Sequence, residues 1–263
     1  MPVITHKNIV VNYEIQGRGP TVVLLHGFLE DLSMWQNITP SLAVNHKVIS
    51  IDLLGHGHTD SLGYVHRMED QAEIVKAVLT ELEIKEYRIV GHSMGGYVGL
   101  ALAKKFPEEV KGLCLMNSTA FPDTPDKKIN RDRAIEALKQ NHKSFVRIAI
   151  PGLFAPWNRE RFKKEIESST SVALQMRTQG IIAALEGMKI REDRTDVLEM
   201  ATLQKMLIIG KADPALDLDS LLVQSRIGGV RSITFDDGHM SHIENEAELI
   251  KALQEFVKHP DKR

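Results

Sequence analysis

Cysteine is nearly absent: Cys114 stands alone, inside the apolar run Leu113 to Met116, so no intramolecular disulfide can form and an oxidising compartment is not implied. Its setting is that of a small buried hydrophobe. No run of roughly 18 apolar residues occurs, which excludes a spanning helix. The opening stretch MPVITHKNIVVNYEIQ has neither the basic nor the apolar region of a signal peptide, and the expected location is cytoplasmic. Charge of one sign is also lacking. The 33 Lys and Arg nearly balance the 35 Asp and Glu, giving −2, and no basic stripe is present that could track a phosphate backbone. Nucleic acid is therefore not an expected partner. Repeats and low-complexity tracts are missing, and with 43% hydrophobic residues a chain of 263 can bury a full core.

What is present is a rhythm of short apolar runs and amphipathic segments, the pattern of parallel strands joined by crossover helices. Val3 to Glu14, broken near Lys7-Asn8, reads as an antiparallel hairpin. Thr21 to Leu25, Lys47 to Asp52, Tyr87 to Val90 and Val110 to Met116 read as buried strands. Trp35 to Ala43, Met68 to Leu82 and Met94 to Phe106 read as the helices between them. After Asn117 the strands stop: Thr124 to Pro156 and Asn158 to Asp193 are charged and helically spaced, interrupted at Pro151-Gly152 and Pro156. Strands return at Lys205 to Ile209 and Val230 to Phe235, and a last helix runs from Glu246 to Lys258 with Asn245 as its expected N-cap. Ligands of such sheets sit beyond the carboxyl ends of the strands.

At one strand end the run Gly91-His92-Ser93-Met94-Gly95 places G-x-S-x-G between strand and helix. A serine on so tight a turn needs a strained backbone, and small residues two positions either side let neighbouring backbone pass. The turn exposes the Ser93 hydroxyl and aims the first N–H groups of the helix, Met94 included, at an oxyanion formed there. After Leu25, His26-Gly27-Phe28 offers a sharp turn that can present the Phe28 N–H to the same oxygen.

With these residues in view the chain resembles the α/β-hydrolase superfamily over its whole length except the helical insertion. The resemblance implies an α/β fold with a mostly parallel eight-stranded sheet, helices on both faces, a core of residues 1–120 and 194–263, and a helical cap insertion at 121–193. Family order places an acid and then a histidine beyond the late strands. Gly210-Lys-Ala-Asp213-Pro214 resembles the acid loop, making Asp213 the orienting acid, with Asp217 and Asp219 as alternatives. Gly238-His239 resembles the final signature, making His239 the general base, with His242 as competitor.

Asp52-Leu-Leu-Gly55-His56-Gly57-His58-Thr59-Asp60 contains H-x-H-x-D, the start of a metal-ligand pattern, but Ser61 stands where a further histidine would be needed. It also resembles the family's D-x-x-G-x-G-x-S/T loop, with Leu54 departing from the usual arginine or proline. On that reading its glycines are structural and His56 and His58 exposed. His92 is expected to pack beneath the elbow, and His6, His46, His66, His142 and His259 to be surface or packing residues.

Trp35 and Tyr97, together with Phe121, Phe154 and Trp157 of the insertion, are candidates to line the substrate pocket, with core packing as the competing role. The stretch Ala183 to Asp193 is similar to caps of small esterase and enol-lactonase-like members. The expected reaction is acyl transfer through an acyl-enzyme on Ser93, needing no metal or organic cofactor, on carboxylic esters of small or medium acyl groups. A lactonase, a carbon-carbon bond hydrolase or a binding receptor on the same fold are the alternatives, and the oligomeric state is left open.

Overall fold

Two consecutive left-handed residues, Lys7 (φ 50°) and Asn8 (φ 64°), turn the chain back on itself and join β1 (Val3–His6) to β2 (Ile9–Gln16). That geometry matches the twist of paired antiparallel strands. The computed structural model describes residues 2–258, so His259 lies outside the described residues. The remaining strands are β3 (Thr21–Leu25), β4 (Lys47–Ile51), β5 (Tyr87–His92), β6 (Val110–Met116), β7 (Gln204–Gly210) and β8 (Val230–Phe235). They form one eight-stranded sheet in the order β1-β2-β4-β3-β5-β6-β7-β8. β2 pairs antiparallel with β1 and β4, and every later pairing is parallel.

Strand order reverses at β3, which has β4 on one side and β5 on the other, with Leu25 opposite Gly91. The chain therefore leaves β3 and β5 side by side at a topological switch point, where open α/β sheets leave a crevice.

Alternation along the strands divides the core into two layers. Val23, Leu25, Ile89 and Leu115 face one way, and Val22, Leu24, Val90 and Cys114 the other, with Cys114 buried as expected. The expected helix Trp35 to Ala43 is instead a 3-10 turn at Leu32–Trp35, capped by Asp31, followed by α1 (Thr39–Ala43). Pro40, which lacks an N–H, is confined to the first turn of α1 and divides the segment. The flanking helices are α2 (Met68–Glu81) and α3 (Met94–Lys105).

Between β6 and β7 the described elements are helical: α4 (Pro125–Gly152), α5 (Lys163–Gln175), α6 (Thr178–Lys189) and α7 (Thr195–Glu199). α4 kinks at Asn141 (φ −158°, ψ 92°), whose Oδ1 accepts from the Ser144 N–H at 3.0 Å and caps the second half. The helix ends at Gly152, at the Pro151-Gly152 interruption expected from the sequence. α8 (Leu218–Gln224), α9 (Ser241–Glu244) and α10 (Glu246–Val257) complete the chain. Asn245 occupies the N-cap position of α10, but its side chain makes no cap hydrogen bond. No helix among the described residues is long and apolar enough to cross a membrane.

The loop after β4 departs from expectation. His56 is fully buried, because Gly55 (φ 71°) and Gly57 (φ 53°) fold it inward, and its ring lies 5.3 Å from His26 and 6.1 Å from Phe28. His58 is exposed as expected. His66 is also buried, and the His66 N–H bonds to Ala183 of α6 at 2.9 Å. Gly187 of α6 sits so close that a Cβ there would overlap the His66 carbonyl.

Gly187→Ala is expected to lower the unfolding free energy by more than about 1 kcal/mol, whereas Gly152→Ala, with open space around it, is expected to be neutral or stabilising by up to about 1 kcal/mol. Urea titrations of the two variants compare them. Burial pushes His56 down to about 3 and His66 to about 4, so both stay neutral in the fold while the unfolded chain takes up protons near 6.5. Their contribution to stability is present above that value and is lost as pH falls toward 4, by at most about 1.4 kcal/mol per group per pH unit. The unfolding free energy is expected to drop between pH 7 and 5, with a shallower slope in His56→Gln.

Candidate active site

β5 delivers Ser93 at φ 50° and ψ −113°, outside the ordinary range for a side-chain-bearing residue, and α3 starts at the next residue. Three hydrogen bonds hold it there: the Ser93 N–H donates to Met116 O (2.9 Å), and the Ser93 carbonyl accepts from Gly96 N–H (3.0 Å) and Ser118 Oγ (2.8 Å). A Cβ on Gly91 would collide with the Gly95 carbonyl, and one on Gly95 with the Leu25 carbonyl, so both glycines are required by close backbone approach. The expected clearances are present.

Beside the elbow, the chain leaving β3 is fixed by His26. Its Nε2 accepts from the Leu53 N–H at 2.9 Å, which leaves Nδ1–H to donate to Gly27 O at 2.8 Å. Anchoring that carbonyl turns the N–H on the other side of the same trans peptide, that of Phe28, the opposite way. Among the described residues neither the Phe28 nor the Met94 N–H donates to a protein acceptor.

Asp213 follows β7 and His239 follows β8. His239 Nδ1 lies 2.7 Å from Asp213 Oδ2, with both side chains almost fully buried. Asp213 also accepts from the Ala215 N–H (2.8 Å), the Leu216 N–H (3.2 Å) and Asn117 Nδ2 (3.1 Å). Burial would raise its carboxyl, but the charge and hydrogen bond of His239 and these donors hold it below the usual aspartate range. Asp217 caps α8 and Asp219 is exposed, so neither takes the acid's place. His242, the other histidine considered for the base, is buried with Nε2 3.6 Å from Glu30 Oε1 and makes no bond to Asp213.

His92 joins these parts. Its Nε2 donates to the His239 carbonyl at 3.0 Å, its Nδ1 meets Glu30 Oε2 at 2.7 Å, and its ring centroid is 4.9 Å from that of His239. The residue preceding the elbow serine is thus bonded to the backbone of His239. Burial alone would lower His92, yet the charge and hydrogen bond of Glu30 leave it raised; burial would likewise lift Glu30, and His92 brings it down to about 2. Glu30, Asn117 and Glu244 were not anticipated from the sequence. Glu244 accepts from the Gly238, Ala155 and Asn158 donors and ties the His239 loop to the helical segment. Of the three only Asn117, directly after the apolar run of β6, stands at a strand end; Glu30 and Glu244 carry no local sequence signal.

Among the described residues the ligand atoms near enough to share a metal are those of Glu30, His92 and His242, within 4.8 Å of one another. Both ring nitrogens of His92 and one Glu30 oxygen are already taken by protein partners, which fits a hydrogen-bonded network better than a metal centre. His56, His58 and Asp60 do not converge: His56 is buried, His58 is exposed, and Asp60 binds the Val10 N–H.

Of the expected pocket residues, Trp35 is corrected to core: it is fully buried in the layer shared with Leu42 and Phe256, on the face of the sheet away from α3. Trp157 points outward, 63% exposed, its indole N–H on Asp237. Tyr97 is buried under the Arg191 guanidinium, 4.0 Å from its ring centroid. Phe121 is half-buried and its carbonyl accepts from Arg191, and Phe154 is buried beside Leu153, whose carbonyl accepts from the His239 N–H.

Relatives with the same architecture are known. A thermophilic esterase from Thermogutta terrifontis superposes with a TM-score of 0.89 at 29% identity, covering 95% of this chain and 93% of that one. An enol-lactonase from Burkholderia xenovorans LB400 gives 0.91 at 23% identity, over 98% of this chain and 100% of that one. A pimeloyl-[acyl-carrier protein] methyl ester esterase of Aeromonas hydrophila is 28% identical over 94% of this chain and 99% of its own length. Other curated relatives match more briefly: the aligned stretch spans only 31% of an uncharacterised Mycobacterium tuberculosis protein, at 35% identity over 106 residues. The alpha/beta hydrolase fold family model matches residues 20–246, and with the elbow, sheet order and strand-end loops described above, the chain belongs to that family.

Proposed function

We propose that the protein is a serine hydrolase that cleaves carboxylic esters of small or medium acyl groups, with Ser93 as nucleophile, His239 as general base and Asp213 as the orienting acid. The observation that carries this reading is the buried His239–Asp213 pair, whose backbone is bonded to the residue next to Ser93. Asp213 accepts Nδ1–H of His239, which leaves the Nε2 lone pair to take the Ser93 proton as the hydroxyl attacks the ester carbonyl. The oxyanion is received by the Phe28 and Met94 N–H groups, neither of which has a competing protein acceptor among the described residues. His239 then protonates the leaving alcohol, and water, activated by the same base, releases the acid. Residues 121–193 act as a cap on a core formed by 1–120 and 194–263, with Tyr97, Phe121 and Phe154 nearest the acyl group.

Ser93→Ala and His239→Ala are each expected to reduce kcat by roughly 10⁴ to 10⁶ on nitrophenyl esters, because nucleophile, base and oxyanion donors act as a unit. Intact-mass measurement after fluorophosphonate treatment should show one adduct, absent in both variants. Labelling that persists in Ser93→Ala would overturn the assignment, and turnover of lactones or diketones without any ester cleavage would replace the substrate class.

Trp35→Ala is expected to cost about 3 to 5 kcal/mol of stability by urea titration while leaving the KM of the folded fraction unchanged, as for a core residue. A raised KM at unchanged stability would return Trp35 to the pocket wall.

A further inference from the structure

Glu30 lies three residues beyond Gly27, almost fully buried, and a single oxygen of its carboxylate joins two loops. Oε2 accepts from the Gly27 N–H at 2.8 Å, in the turn that presents Phe28, and from His92 Nδ1 at 2.7 Å, in the elbow. His92 then donates from Nε2 to the His239 carbonyl at 3.0 Å, which brings in a third loop. Gly27 has to be glycine for this carboxylate to come so close, since a Cβ there would sit 2.5 Å from Oε2 and 2.7 Å from His92 Nδ1. The oxyanion turn, the nucleophile elbow and the base loop are thus joined through one carboxylate and one imidazole, behind the reacting atoms.

We propose that Glu30 is a positioning residue which, through a doubly donating His92, holds the Phe28 and His239 loops in register with Ser93. The inference rests on the serine-hydrolase reading above. The chemistry is specific about protonation. His92 bonds to two acceptors, the Glu30 carboxylate and the His239 carbonyl, and only the imidazolium has two N–H groups to give. A neutral ring must abandon one of them. The groups facing His92 are Glu30 from the loop after β3, Asp213 after β7, His239 after β8 and His242 on α9, whose ring is 5.4 Å away. Burial pushes His242 down to about 4, so it adds no positive charge near neutrality and Glu30 is the direct partner of His92. With Glu30 neutralised, only the His239 carbonyl and the Asp213 charge remain to offset the burial that favours the uncharged form of His92.

The test is Glu30→Gln, with His92→Gln and the double variant, followed on a nitrophenyl ester from pH 6 to 10. The glutamine at 92 supplies an amide N–H for the His239 carbonyl that needs no counterion. Glu30→Gln is expected to lower kcat/KM about 10- to 100-fold at pH 8 through kcat, with KM within twofold, and to recover toward wild type as pH falls. In the wild type the alkaline decline should lie at higher pH than in the variant. In the His92→Gln background Glu30→Gln should cost less than a third of that factor. A second readout is independent of turnover: ¹⁵N shifts of His92 should report a doubly protonated ring at pH 7 in the wild type and a singly protonated one in Glu30→Gln. If Glu30→Gln does not fold, the wild-type spectrum and His92→Gln still decide. A wild-type ring carrying one proton, a loss equal at every pH, or activity within twofold throughout overturns the proposal while leaving the hydrolase standing. A folded wild type that neither reacts with fluorophosphonate nor turns over any ester overturns both.

Discussion

Ser93 is kept in a backbone conformation that costs of the order of 1 to 3 kcal/mol, and the rest of the site follows from what keeps it there. The strain cannot be relieved locally. The Ser93 N–H is bound to β6, its carbonyl to Gly96 and Ser118, and the glycines on either side are pressed against the Leu25 carbonyl and against each other. Two neighbouring parallel strands and the first turn of α3 therefore over-determine one residue. The β3–β4 and β3–β5 pairings are in unbroken register, so the sheet sets the elbow and the Phe28 turn side by side, and the loop glycines and His26 hold each in its local conformation.

A second constraint is electrostatic. Two buried carboxylates, Asp213 and Glu30, are each desolvated, and each is compensated by backbone N–H groups as well as a histidine. On the proposed mechanism Asp213 is matched to the ring that gives and takes a proton, whereas Glu30 is matched to a ring whose two nitrogens are both occupied. The same residue pair, carboxylate and imidazole, thus serves two ends according to whether a ring nitrogen is left free. Around them His56 and His66, both lowered by burial, stay within the loops as neutral packing groups, and His26 accepts from Leu53 and donates to Gly27.

Most strands were legible because a buried parallel strand writes itself as a continuous apolar run; Val110–Met116 begins and ends where the sequence implies, and so does Val230–Phe235, an edge strand that is partly exposed at Arg231, Ser232 and Thr234. Ser93 stands out by the G-x-S-x-G spacing at a strand end, whereas Asp213 and His239 are picked out only by resemblance to the family's acid loop and final signature; the structure brings those two side chains within hydrogen-bond distance. What escaped was long-range. Glu30 has no local pattern, since its meaning comes from a partner 62 residues away. His56 reads as an exposed polar residue among glycines, and only the inward fold of that loop against His26 and Phe28 buries it. Trp35 reads as pocket wall or core, and the structure packs it fully buried in the layer with Ile38, Leu42 and Phe256.

Three of the contacts that hold the helical segment between β6 and β7 to the rest of the fold differ in chemistry. Gly187 of α6 lies against the His66 backbone, where the His66 N–H also donates to the Ala183 carbonyl, a contact of close backbone approach. Buried Asp123 pairs with Arg131 and Arg191, and Arg191 caps the ring of Tyr97 on α3, a contact of charge. Glu244 gathers the Gly238, Ala155 and Asn158 donors, a hydrogen-bonded contact that also fixes the His239 loop. Lifting the segment off the sheet as one piece would break the His66–Ala183 bond, the Arg191–Tyr97 contact and the Glu244 bonds together. Between Arg131 and Ala155, helical geometry is interrupted within α4 at Asn141. On the proposed function, the segment and the base loop are thereby coupled, because the Glu244 carboxylate that receives Ala155 and Asn158 also receives the Gly238 N–H next to His239.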